Sequence, residues 1–350
     1  MTALLPRRSR VLRVGRATLR WDARAALVTI VVAVAVLLVG ALALTLGTYP
    51  ISLDQIVASF TGDPDADGVR RIVLEWRLPR IVLTVIAGMA LALSGAVFQS
   101  ITRNPLGSPD IIGFNTGAYT GALITILVLG ANYVGTAVGA LVGGLVTAAI
   151  IYVFAWRGGV QGQRLIVIGI AVTAVLQAVN TWLILSSKVE LAFGAASWTA
   201  GSFNEVRWPS VLPVAIALAV IIPLLAVFSR NLHVLELGDD AARALGVRAE
   251  GTRLIFVVLG VCLTAIVTAA VGPISFVALA APQIARWLAG SAGVSLVPSA
   301  AVGGLLVLGS DVIAQRVIAP GQLPVGLVTL SLGGVYLLGL LALQARKRLT

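Results

Sequence analysis

Apolar stretches of helical length follow one another along almost the whole chain, separated by short polar breaks. Ten such stretches can be placed, two of them within the 46 uncharged residues of 111–156. A helix needs roughly 20 apolar residues to cross the hydrocarbon core of a bilayer. The pattern therefore predicts an all-α polytopic membrane protein with about ten transmembrane helices in one domain, residues 27–345. The stretches lie at 27–46, 81–99, within 111–156 (two), and at 165–186, 210–229, 254–271, 274–290, 296–313 and 324–345.

Three of the breaks are more than simple turns. The acidic segment 61–68 lacks the terminal glutamate of a calcium-binding loop, so we predict an exposed loop on the outer face. Residues 191–203 are apolar but too short to cross, which predicts a re-entrant or interfacial helix. The third break, Leu235–Val247, is a polar island between two apolar stretches.

The polar island is predicted to fold as a short helix. Asp239 and Asp240 follow Gly238, and acidic residues are favoured in the first turn of a helix. Gly246 is a typical C-terminal stop. Ala242 and Leu245 are three residues apart and would form one small apolar face. From composition alone, a solvated connector and a docking helix for a cytoplasmic partner both remain open.

The distribution of positive charge predicts the orientation. The chain is 59% hydrophobic and 11% charged, with a mean hydropathy of +1.02 and a net charge of +11. Of the 25 Lys and Arg residues, 18 fall on the side of the termini and seven on the other side. Cytoplasmic segments carry the excess of Lys and Arg, so we expect a basic cytoplasmic arm (1–26), a cytoplasmic loop (231–252) and a cytoplasmic tail (346–350). Because these charges cluster at span ends, they do not indicate nucleic-acid binding.

Several kinds of chemistry are excluded by what the sequence lacks. A phosphate-binding loop needs Gly-Lys-Ser/Thr, and neither lysine, Lys188 or Lys347, follows a glycine. Cys262 and His233 are the only residues of their types, so neither a disulfide framework nor a two-histidine metal site can form. There is no Gly-x-Ser-x-Gly elbow. We therefore expect no catalytic residue, no metal site, no cofactor and no enzymatic activity in this chain.

Polar side chains within the spans are the candidates for lining a passage. A large chelate carries its own metal ligands and needs only a wide, weakly binding path. Hydrogen bonding between helices is the alternative role for each of them, and we favour it. Glycines four residues apart, at 117 and 121 and at 135, 139 and 143, predict close helix packing. The candidates for pathway lining are Gln99, Ser100, Asn115, Thr116, Gln177 and Asn180.

A series of motifs resembles the FecCD-type permeases, the membrane subunits of iron-siderophore and cobalamin ABC importers. The similarity covers residues 77–345 and omits the basic arm and the acidic loop. The motifs are Arg77-Leu-Pro-Arg80, Ser94-Gly-Ala-Val-Phe-Gln99, Asn104-Pro-Leu106, Pro109-Asp-Ile-Ile-Gly113, Asn115-Thr-Gly-Ala118, Leu235–Val247, Gly272-Pro-Ile-Ser-Phe276, Ala281-Pro-Gln-Ile-Ala-Arg286 and Leu323-Pro-Val-Gly326.

The resemblance implies the BtuC-like type II importer fold, a second permease subunit, two ATP-binding subunits and an extracytoplasmic substrate-binding protein. It implies that Arg77, Arg80 and Arg316 meet the binding protein. It also implies that the polar island docks on the ATPase through Leu237, Gly238, Asp239, Ala242, Leu245 and Gly246. The expected activity is import of a ferric siderophore across the bacterial cytoplasmic membrane, driven by ATP hydrolysis on the partner chain.

Two departures from the family pattern bear on this expectation. Gln283 stands where many members have histidine, which looks more like the enterobactin-type permeases. Gln315 stands where many have arginine, and Arg316 is one position later than the family pattern places it. Haem or cobalamin import by the same fold, and an ion-coupled secondary transporter, are the alternatives.

Overall fold

The described part of the chain consists of helices preceded by one short hairpin. A computed structural model describes residues 9–14, 17–47, 49–61, 67–130, 133–156, 162–189, 198, 200–319 and 321–349. A π-helical turn, Ile72–Arg77, joins α3 to α4. The helices are α1 Ala23–Thr45, α2 Leu53–Thr61, α3 Asp67–Arg71, α4 Leu78–Thr102, α5 Pro109–Ile112, α6 Phe114–Leu127, α7 Tyr133–Ala155, α8 Gly162–Leu185, α9 Trp208–Glu236, α10 Asp239–Ala244, α11 Ala249–Val271, α12 Val277–Ala289, α13 Leu296–Arg316 and α14 Val325–Leu349.

Each predicted apolar stretch contains a helix, and within the described residues seven helices are long and apolar enough to cross a membrane. Of the three other stretches, the last contains a shorter apolar helix, Val325–Tyr336. Helices α6 and α12 are shorter than the stretches that predicted them, since α6 has 14 residues and α12 has 13. At 1.5 Å per residue they are about 20 Å long, short of the roughly 30 Å hydrocarbon core.

Backbone conformation explains why α6 and α12 are short. Gly113 has a positive φ of 95°, which separates the brief helix α5 from α6. Gly272 also has a positive φ, and Pro273 follows it, so the chain cannot continue as a helix from α11 into α12. Phe276, directly before α12, is in the left-handed region despite its side chain. Both short helices, α6 and α12, therefore begin at breaks in the backbone.

The two breaks meet at the carboxylate of Asp110. Its oxygens accept hydrogen bonds from the backbone N–H of Phe276 (3.2 Å) and from the side-chain amide of Asn115 (3.0 Å). Asn115 in turn accepts a hydrogen bond from Thr268 in α11 (2.6 Å). Irregular backbone at membrane depth is tolerated where protein groups satisfy it, and this network does so.

Helix α4 is the central element and packs on its neighbours through small residues. A Cβ on Gly88 would lie 2.2 Å from the carbonyl oxygen of Gly303, and a Cβ on Gly95 would lie 1.7 Å from that of Ala278. In the same way Gly121 of α6 lies against Gly139 and Gly143 of α7, which confirms the predicted close packing of these glycines. Small side chains let helix backbones approach closely without an apolar driving force.

The basic arm contains two strands, which the all-α expectation did not include. Strands β1 (Ser9–Val14) and β2 (Ala17–Asp22) pair antiparallel, with Val14 opposite Ala17. A glycine at the first of two connecting positions is a hairpin signal, and Gly15 provides it in the sequence. Arg24 then donates from Nε to the carbonyl oxygen of Leu288 at 2.8 Å, which fixes the start of α1 to the end of α12.

Parts of two predictions lie outside the described residues. Residues 62–66 of the acidic loop and residues 191–197 and 199 of the predicted re-entrant helix are among them. Both predictions stay as they were.

Candidate functional site

The polar island forms the predicted short helix, α10, between two glycines with positive φ. Gly238 precedes Asp239 with φ 108°, and Gly246 follows the helix with φ 78°. A residue with a Cβ would be strained at either position. The two glycines thus set the angles at which the chain enters and leaves α10.

The predicted apolar face of α10 is wrong, because its two residues lie on different sides. Ala242 is fully buried against the helix bundle, whereas Leu245 is 62% exposed. Leu245 lies one residue beyond the helix with φ −87° and ψ 9°, so helical spacing no longer applies to it. Leu237, before the helix, is 68% exposed. The large exposed apolar side chains of the island are therefore Leu237 and Leu245.

Asp239 is held by the bundle. Its Oδ1 accepts a hydrogen bond from Nη2 of Arg253 at 2.7 Å and lies 3.7 Å from Nη2 of Arg103. Arg253, in the first turns of α11, is 3% exposed, and its Nε and Nη1 have no partner within the described residues. Asp239 is thus the counter-charge of a buried arginine, a role the sequence did not reveal.

A cavity of about 180 Å³ opens at the same end of the bundle, between the ends of α4, α9 and α12. Gln283 donates to Gln99 Oε1 across it, and Gln99 donates to the carbonyl oxygen of Leu279 at 3.0 Å. Ser100 donates to Glu236 Oε1 at 2.6 Å. The lining residues are Gln99, Ser100, Arg103, Asn104, Pro105, Glu236, Gln283, Arg286, Ala292, Gly293 and Val294.

The structure brings only some of the candidate pathway residues together. Gln99 and Ser100 share the cavity, where both make hydrogen bonds to other helices. Asn115 is part of the Asp110 network, and Thr116 is half-buried on the next position of α6. On α8, Asn180 is buried with Oδ1 lacking a partner among the described residues, and Gln177 is exposed. Whether any of these residues lines a path stays a prediction.

The arginines at the opposite end of the bundle have different surroundings. Arg80 forms two hydrogen bonds with Asp311 (2.9 and 2.8 Å) and also donates to Gln322 and Asn204. Arg77 donates to the carbonyl oxygens of Leu44 and Tyr49. Arg316 is exposed and has no ion pair within the described residues. We call the Arg80 cluster the outer clamp; it consists of Arg80, Asp311, Gln315, Gln322 and Asn204.

Gln315 explains one departure from the family pattern. Its side-chain amide donates to Asp311 Oδ2 at 2.8 Å, so it supplies a hydrogen bond where many members have arginine. Sequence reasoning missed Asn204, Gln322, Glu236 and Arg253. Each lies far along the chain from the residue it contacts, and single polar residues at span ends carry no pattern of their own.

The comparisons with known proteins agree with this architecture. The profile of the FecCD transport family matches residues 26–343. The ferric enterobactin transport system permease FepG of Escherichia coli K12 is 45% identical over 302 residues, which are 86% of this chain and 91% of that protein. The Fe(3+)-citrate import permease YfmE of Bacillus subtilis 168 is 31% identical, over 95% of this chain and 99% of that protein.

A solved structure shows the same fold. A metal-chelate type ABC transporter in an inward-facing conformation superimposes with a TM-score of 0.81 and 28% identity, over 91% of this chain and 99% of that one. The family profile spans most of the chain, and two relatives align with it along nearly their whole length. This chain belongs to the FecCD transport family and is a multi-pass membrane permease.

Proposed function

We propose that this chain imports a ferric siderophore of the enterobactin type, as the permease of an ABC importer in the bacterial cytoplasmic membrane. The observation that carries the proposal is the 45% identity to the ferric enterobactin permease along 86% of the chain. Gln283, which distinguishes this chain from many family members, lies in the cavity at the α10 end and supports the same assignment.

The complex has a second permease subunit, either a paralogue or a second copy, two ATP-binding subunits and an extracytoplasmic binding protein. Helix α10 meets the ATP-binding subunit through the exposed Leu237 and Leu245. Ala242 and Asp239 hold α10 on the permease, and Gly238 and Gly246 set its angle. Helix α10 therefore has exposed apolar side chains next to it and a firm attachment to the bundle.

Both termini and α10 lie in the cytoplasm. The excess of Lys and Arg on that side supports this orientation. Arg24, at the start of α1, bonds to the end of α12, whose Arg286 lines the cavity near α10. The arm and α10 therefore lie at one end of the bundle. The opposite end, with Arg316 exposed, faces the binding protein.

Of the three arginines assigned to the binding protein, Arg316 is the one available for a contact across the interface. Arg80 and Arg77 already donate to groups within the chain, so their part in docking is to shape the surface. An exposed charge steers the encounter and contributes little affinity by itself.

The test is uptake of radiolabelled ferric enterobactin by proteoliposomes that contain both permease subunits, the ATPase and the binding protein. We expect uptake that requires ATP and is competed by unlabelled ferric enterobactin but not by ferric citrate. Uptake that continues with a hydrolysis-deficient ATPase contradicts the ABC mechanism. Competition by ferric citrate alone contradicts the assigned cargo.

A further inference from the structure

Two acidic residues on either side of Gly238 hold the same turn of α4. Glu236, the last residue of α9, accepts the 2.6 Å hydrogen bond from Ser100. Asp239, the first residue of α10, lies 3.7 Å from Arg103. Glu236 and Asp239 are three residues apart in the sequence, and their partners Ser100 and Arg103 are also three residues apart. We call these four residues the two-acid clasp.

The two links of the clasp differ in strength. Ser100 is 1% exposed, and its bond to a carboxylate is short and charge-assisted, which makes it the stronger link. The Arg103–Asp239 pair is partly exposed and longer, so water weakens it. Arg103 lies directly after α4, and its backbone is in the left-handed region. This conformation directs its side chain towards α10, although it is strained for a residue with a Cβ.

Asp239 also prevents α10 from separating from α11. Arg253 is buried and pairs with Asp239 at 2.7 Å, so removing the carboxylate would leave a buried charge without compensation. Helix α10 and the start of α11 must therefore move together. On its other side α10 is joined to Glu236 by two residues, Leu237 and Gly238. A displacement of α10 thus reaches Glu236 and Asp239 at once.

The clasp forms one wall of the cavity at the α10 end. Ser100, Arg103 and Glu236 all line it. Glu236 additionally lies 3.5 Å from the backbone N–H of Val294, another residue that lines the cavity. Movement of the two acids relative to α4 consequently changes the width of the cavity.

We propose that the two-acid clasp transmits displacement of α10 to the last turn of α4 and so opens and closes this cavity during transport. Ser100, Arg103, Glu236 and Asp239 are then positioning residues that couple ATP hydrolysis to passage of the cargo. The inference rests on the proposed function, in which α10 meets the ATP-binding subunit. The competing interpretation is that the clasp only stabilises the fold. It predicts a lower unfolding temperature with an unchanged ratio of transport to ATP hydrolysis.

The experiment compares the double variant Ser100→Ala/Arg103→Asn with the control Ser229→Ala. Asparagine tolerates the left-handed backbone at position 103 but is too short to reach Asp239. Ser229 donates only to its own helix among the described residues. Each protein is assembled with its partners in proteoliposomes, and ferric enterobactin transported per ATP hydrolysed is measured together with the unfolding temperature.

For the double variant we expect about a tenfold lower transport-to-hydrolysis ratio, the effect of losing a charge-assisted hydrogen bond, with normal assembly and continued hydrolysis. Ser229→Ala should keep the wild-type ratio. A wild-type ratio in the double variant overturns the clasp, whatever its stability. If the double variant does not assemble, Ser100→Ala alone decides by the same ratio, since it removes a single buried hydroxyl. Failure of the wild-type chain to assemble or to transport ferric enterobactin refutes the proposed function instead.

Discussion

The outer clamp gives the sharpest test of how this structure is stabilised. The side chain of Asp311 is 3% exposed and accepts two hydrogen bonds from Arg80 and one from Gln315. Replacing it with asparagine removes the counter-charge while keeping the volume. Arg80 is then left nearly buried with a full charge, a situation that costs about 3–5 kcal/mol when no water can reach the group. Because Arg80 retains its bonds to Gln322 and Asn204, we expect about 3 kcal/mol for Asp311→Asn.

The assay uses the single cysteine. Cys262 lies partly buried in α11, so a thiol-reactive fluorophore reports on its exposure as the purified protein unfolds in detergent. Asp311→Asn should lower the unfolding temperature and the free energy of unfolding. The double variant Arg80→Met/Asp311→Leu removes both charges and should recover most of the loss, since replacing a buried ion pair by apolar residues is often neutral.

Two results would refute this reasoning. One is a loss below about 1 kcal/mol for Asp311→Asn, which would place the pair among exposed ion pairs. The other is a double variant as unstable as the single one, because the uncompensated charge would then not be the cause. Glu75→Gln is the matched control: its partner Arg71 is exposed, so we expect no measurable change.

Three further predictions follow from other parts of the structure. Leu245→Asp should abolish co-purification with the ATP-binding subunit without changing the unfolding temperature, because Leu245 is exposed; normal co-purification would remove Leu245 from the docking surface. Gly95→Ala should destabilise by at least about 1–3 kcal/mol, since its methyl group would meet Ala278, whereas Gly309→Ala should not, having open space among the described residues. The isolated chain should show no specific ATP binding by titration calorimetry, and micromolar affinity would contradict the missing phosphate loop.

Much of the fold could be predicted because the bilayer imposes a simple length rule. The apolar stretches at 81–99 and 296–313 became α4 and α13 with small changes at their ends. The rule failed at α6 and α12 because each of these helices begins at a backbone break inside its apolar stretch and not at the edge of that stretch. Nothing near Gly113 or Phe276 in the sequence indicates that one carboxylate, Asp110, serves both breaks.

The sequence predicted where the candidate site lies in the chain but not how its side chains are oriented. Gly238, Asp239 and Gly246 mark a short helix at the correct position. Which of its residues turn outwards depends on contacts with Arg253 and Arg103, distant in sequence from Asp239 by 14 residues or more. The same limit applies to Arg80: its motif identifies it, but its partner Asp311 lies 231 residues further along the chain.

The junction at Asp110 has a consequence for how the protein is made. Asp110 and the backbone of Phe276 are separated by 166 residues, so the first break is synthesised and inserted long before its partner exists. Until then Asn115 is the sole side chain described here that bonds to the carboxylate. A buried carboxylate with too few partners is costly in a membrane. Until α12 has entered the bilayer, Asp110 therefore lacks the backbone hydrogen bond that it accepts in the complete chain, although α6 can already pack on α7.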